Sequence, residues 1–77
     1  MPYSAKIVRL NAEADPERLG VSLGRLCISR QIPVTQVCLD LDVCKAAVYQ
    51  WFSGKREVGK HLRLKVAAYY RSRLPPA

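Results

Sequence analysis

The sequence predicts an all-α domain of four to five short helices, on three observations. The chain has 77 residues, enough for one small core and too few for a doubly wound sheet, a barrel or a two-domain enzyme. From residue 15 onward, apolar residues recur at spacings of three and four, the period of a helix with one buried face. Pro16, Pro33, Asp42, Gly54, Gly59 and Pro75 interrupt that pattern and divide it into helix-length pieces. Apolar residues make up 49% and charged residues 25%, a globular and not a disordered composition.

Residues 1–14 carry a short alternation, Ala5 and Ile7 against Ser4, Lys6 and Arg9, which predicts an extended N-terminal arm or a brief strand. A flexible tail is the other reading of these residues. The domain itself is expected over 15–74, with 75–77 as a tail. Its first helix starts with Asp15 as the N-cap, Pro16 at the first helical position and Glu17 at the positive end of the dipole. Leu19, Leu23, Leu26 and Cys27 share one face of it. Gly20 and Gly24 weaken that helix, and their return is close approach by another element. It ends near Arg30 or Gln31, because Pro33 disfavours helical geometry at Ile32.

A second helix is predicted over Val34–Leu41, with Val37, Cys38 and Leu41 inward and Thr35, Gln36 and Asp40 outward. Asp42 tolerates the left-handed geometry a tight turn requires. A third helix is predicted over Lys45–Phe52, with Cys44 in the capping position and Gly54 as the stop. Val48 and Trp51, with Phe52 beside them, point inward; Lys45, Ala46, Tyr49 and Gln50 point outward. A basic loop, Lys55 to Lys60, leads to the last helix at Lys60–Arg73. Its apolar stripe is Leu62, Val66, Ala67, Tyr69 and Tyr70, and Pro75-Pro76 ends it.

Thirteen Lys and Arg against six Asp and Glu give a net charge of +7. Residues 1–43 hold five of each sign, so the whole excess lies in residues 44–77, with eight basic groups and one acid. A polyanion is therefore the first partner to consider; a merely solvated basic helix is the plain alternative. No run of eighteen apolar residues exists, so no membrane partner is expected, nor is a secretory signal. The three cysteines, Cys27, Cys38 and Cys44, are an odd set without a C-x-x-C pair. They read as reduced thiols in a cytoplasmic protein, and no metal or cofactor is expected. One histidine, His61, and no paired carboxylates leave no catalytic set, so an enzyme is not expected. Cys44 reads as a modest helix cap and not as a nucleophile.

The informative segment is residues 34–54: two short helices joined by a three- or four-residue turn. Small Cys38 comes first, Asp42 follows at the turn, then Val48 and Trp51 on the second helix. This is the spacing of a helix-turn-helix. The crossing needs a small side chain at its closest contact, and the turn needs a left-handed residue. The run from Val43 to Lys55, with its Val48-Tyr49-Gln50-Trp51-Phe52-Ser53-Gly54-Lys55 stretch, resembles the recognition segment of small phage and bacterial regulators of the lambda repressor and Cro (XRE-type) class. The resemblance covers about residues 17–72 and implies a compact lambda-repressor-like DNA-binding domain. Four positions depart from the family pattern: Cys38 stands where Ala is usual, Asp42 for Gly, Cys44 for Ser and Val34 for Gln.

What the resemblance implies is sequence-specific binding of double-stranded DNA, in transcription regulation. The base-contacting residues would be Cys44, Lys45, Ala46, Tyr49, Gln50 and Ser53. Lys45 suits guanine or a phosphate, Gln50 suits the N6 and N7 edge of adenine, and Ala46 suits a thymine methyl group. Lys55, Arg56, Lys60 and Arg63 would hold phosphates, which set register and not sequence. A homodimer is a natural companion expectation, through residues 1–12 or through Tyr69, Tyr70 and Leu74. Two other readings stand beside it. One is a helix-turn-helix scaffold that binds a host protein, such as RNA polymerase or a nuclease; the other is a non-specific nucleic-acid binder.

Overall fold

Ser4 opens the first helix. Its Oγ accepts a hydrogen bond from the Ile7 N–H at 3.4 Å, the geometry of an N-cap. The computed structural model describes residues 3–74, and among them are five helices and no strand: α1 (Ala5–Glu13), α2 (Leu19–Ser29), α3 (Val34–Leu41), α4 (Lys45–Ser53) and α5 (Lys60–Arg73). The all-α expectation holds. The extended arm or strand expected over 1–14 is corrected: its described residues form α1, packed into the body. The expected tail at 75–77 lies outside the described residues, as does the Pro75-Pro76 stop.

The physical reason for α1 is a stripe spaced by four. Tyr3, Ile7 and Asn11 are all buried on one face. The Asn11 side-chain amide donates to the carbonyls of Val21 (3.1 Å) and Phe52 (2.8 Å), which ties α1 to α2 and α4 at once. Arg25, from α2, donates to the carbonyls of Ala12 (3.1 Å) and Ala14 (3.3 Å) at the end of α1. Those are the carbonyls a helix leaves unpaired at its C-terminus. The Tyr3 hydroxyl donates to the Ile32 carbonyl across the body.

The start of α2 is also corrected. Asp15 does not cap it; its Oδ1 accepts from the Glu17 N–H (3.0 Å) and its carbonyl from the Arg18 N–H (3.2 Å). Asp15 and Pro16 thus build a separate turn, and the helix begins only at Leu19. Its end, at Ser29 with Arg30 as the cap, is as expected, and Gln31 turns the chain at φ 57°.

The two glycines of α2 let α4 approach closely. A Cβ on Gly20 would lie 2.6 Å from the Trp51 Cβ. One on Gly24 would lie 2.6 Å from the Asn11 amide nitrogen and 2.8 Å from the Phe52 ring. No larger residue fits at either position, and α2 against α4 is the most extensive helix contact in the molecule.

Helices α3 and α4 are joined by residues 42–44, with Asp42 left-handed at φ 57° as its residue type predicts. Gly54, at φ 78°, closes α4. α5 is fastened to α3 by polar links. Asp40 accepts from the Tyr69 hydroxyl (2.7 Å), the Arg73 guanidinium (3.1 Å) and the Gln36 amide (2.8 Å). The Lys65 ammonium donates to the Leu41 carbonyl at 3.0 Å. Fully buried Leu23, Val37, Leu41, Val48, Phe52 and Val66 form the centre of the core, and each of α2 to α5 contributes at least one of them. None of the described helices is long and apolar enough to cross a membrane.

Candidate functional site

Helix α4 is held from one side. Val48 and Phe52 are fully buried and Trp51 nearly so, all three among the core residues. With 3.6 residues per turn, that fixes which residues face away. Lys45, Ala46 and Tyr49 are exposed, as is Cys44 just before the helix. Gln50 and Ser53 are half-buried, so five of the six expected base-contacting residues lie on the outer surface of α4 and Cys44 stands at its start. The Ser53 hydroxyl bonds back to the Gln50 carbonyl at 3.4 Å, a bond within its own helix. Cys44 makes no capping hydrogen bond through its side chain.

Gln50 and Ser53 face a space shared with α1. Between α1 and α4 runs an open groove of about 490 Å³. Tyr49, Gln50 and Ser53 line one side with Lys55. Ser4, Lys6, Ile7 and Leu10 line the other. None of these residues carries a carboxylate, so the groove presents two ammonium groups, hydroxyls, an amide and an apolar floor.

Lys55 reaches this groove because of how α4 ends. With Gly54 left-handed, the N–H groups of Lys55 (3.0 Å) and Arg56 (3.3 Å) both turn back to the Gln50 carbonyl. The same closure leaves Arg56 exposed next to Lys55. Lys60, at the first position of α5, is exposed as well.

No protein-family model, curated protein or solved structure matches the chain.

Arg63 stands apart from the other expected phosphate contacts. It lines a second cleft with Asp15, Glu17 and Glu57, and the Arg18–Glu57 ion pair (3.9 Å) crosses the same region. Three carboxylates around Arg63 make that cleft a poor seat for a polyanion. Tyr69, expected at a dimer surface, is instead buried against α3 and donates to Asp40.

The perturbed titrating groups are structural. Burial pushes the Cys27 thiol up to about 11. Burial also raises Cys38, against the pull of nearby Lys45. Tyr69 is pushed up to about 12 by burial and by its hydrogen bond to Asp40. Asp40 is held below the usual carboxylate range by hydrogen bonds from Tyr69 and Gln36, with Arg73 adding to them. Among the described residues no three His, Cys, Asp or Glu side chains gather as a metal-binding group.

The residues that sequence reasoning missed are those of α1. The signal was present: Ser4 is a good N-cap, and Tyr3, Ile7 and Leu10 follow the i, i+4, i+7 spacing of a helix face.

Proposed function

We propose that the chain binds double-stranded DNA in a sequence-specific manner, with α3 and α4 as a lambda-repressor-like helix-turn-helix and α4 as its recognition helix. The observation that carries this reading is the one-sided anchoring of α4. Val48, Trp51 and Phe52 fix its orientation, while Lys45, Ala46, Tyr49 and Gln50 are left on the outer face next to Lys55 and Arg56. A major groove admits a single helix presented in this way. Gln50 offers a bidentate contact to adenine, and Lys45 a contact to guanine or phosphate. Each good bidentate contact contributes about 1–3 kcal/mol of discrimination. Lys55, Arg56 and Lys60 supply sequence-independent affinity through phosphates. The biological role is a small transcriptional regulator of phage or bacterial type. One such domain reads only a few base pairs, so the working unit is a dimer on half-sites about one DNA turn apart.

The test is competition between a duplex enriched from a random pool and a heterologous duplex at about 0.15 M salt, where specific binders keep roughly a thousandfold preference or more. Equal competition by the two duplexes would leave only a non-specific nucleic-acid binder. A second reading, a scaffold for a host protein, has one observation in its favour: Leu39 and Leu64 are 79% and 86% exposed. Charge reversal at Lys55 and Arg56 separates the two, since it abolishes DNA binding and spares a partner held on those leucines.

A further inference from the structure

The groove between α1 and α4 has a wall that a bare helix-turn-helix does not supply. We infer that α1 is part of the nucleic-acid interface: the sugar-phosphate strand bordering the base-reading face seats in this groove, with Lys6 of α1 holding it from the side opposite Lys55. The inference rests on the DNA-binding reading above and adds a contact residue to it.

Three observations carry it. First, Lys6 on α1 and Lys55 in the loop after α4 line one groove, and among the described residues no carboxylate shares it with them. The acidic second cleft, by contrast, would repel a phosphate. Second, the groove is continuous with the reading face, because Tyr49 and Gln50 belong to both. A strand lying there passes directly beside the bases that Gln50 would read. Third, α1 is firmly placed. Asn11, Arg25 and Tyr3 tie it to α2, α4 and the α2–α3 connection, so Lys6 is presented from a packed helix. Ile7 and Leu10, between the two lysines, give the sugar edges an apolar surface.

Arg9 provides the control. It lies on the same helix, carries the same charge and pairs with Glu13 (3.8 Å), but it lines a different depression with Tyr3 and Val8. The full chain is titrated with a labelled mixed-sequence DNA duplex over a series of salt concentrations. Each phosphate contact contributes about 0.9 to the slope of log K against log salt. Lys6→Ala should flatten the slope by about 0.9, as Lys55→Ala does, while Arg9→Ala leaves it unchanged. Lys6→Arg should restore it. If Lys55→Ala flattens the slope and Lys6→Ala does not, α1 is no part of the interface, although the DNA-binding reading stands. If Lys6→Ala and Arg9→Ala flatten it equally, the effect is general charge and the seat is refuted. If neither lysine matters, the DNA-binding reading fails along with the seat. Circular dichroism melts of each variant confirm that α1 remains folded.

Discussion

Val48 and Gln50 lie two residues apart on α4 and report on opposite faces. Val48 is fully buried, so Val48→Asp puts an unpaired charge into the core at a cost of about 3–5 kcal/mol. A small domain has about 5–15 kcal/mol of stability to lose, and the variant should show little or no cooperative thermal melt. Gln50→Ala removes a half-buried side chain that makes no hydrogen bond among the described residues, and should change stability by no more than about 0.5 kcal/mol. An unchanged melt for the first variant, or unfolding of the second, would mean that the two faces of α4 are reversed. Gly20 tests the approach of α2 to α4. Gly20→Ala would gain helix propensity, but its Cβ would meet Trp51 at 2.6 Å. Overpacking wins, with an expected loss of about 1–3 kcal/mol in chemical denaturation. A stabilised Gly20→Ala would show that the two helices pack less tightly than described.

Helix α5 is joined to α3 by a titratable link, and pH reads its worth. Asp40 has a lowered folded-state value, so its contribution is fully present above the unfolded carboxylate value and is lost as pH falls through the folded one. Asp40→Asn keeps the shape and removes the charge. Its Tm should lie below that of the parent near neutral pH, and the two should converge in acid. A constant Tm difference across the acid range would show that Asp40 stabilises the fold by other means. At this scale the C-terminal two-thirds of the fold was legible in advance. Val34–Leu41 and Lys60–Arg73 are the helices the sequence predicts, and α4 is longer by one residue. Strong punctuation made them legible: Pro33 fixes its own backbone and restricts Ile32, and Asp42 and Gly54 take the left-handed geometry that few residue types tolerate. The helical spacing of α1 was present in Tyr3, Ile7 and Leu10, but its next buried position, Asn11, is polar, and the alternation of residues 4–9 suited a strand as well. The start of α2 was hidden because Asp15-Pro16-Glu17 forms a turn with the same residue types as a helix cap. With α1 missed, the groove that Gln50 and Ser53 share with it was missed too, since no periodicity within α4 reveals a neighbouring helix.

Across the whole molecule, charge is divided by sequence and then arranged by the fold. Residues 1–43 are neutral, and the +7 of residues 44–77 falls on α4, the loop after it and α5. Arg63 lines the second cleft with Asp15, Glu17, Arg18 and Glu57, and Lys65 and Arg73 bond to α3. Of the other five, Arg71 is exposed in the last turn of α5, and Lys45, Lys55, Arg56 and Lys60 are those proposed to meet phosphates, joined by Lys6 if α1 takes part. Four to five contacts predict a slope of log K against log salt of about −3.6 to −4.5 on duplex DNA. A slope near zero would point to a partner without a phosphate backbone. The central claim is that the outer face of α4 reads bases, and parallel selections from a random duplex pool test it most directly, one with the parent chain and one with Gln50→Ala. The account predicts one enriched motif for the parent and the same motif with a single relaxed position for the variant. No enrichment by the parent, or identical motifs from both, would contradict it.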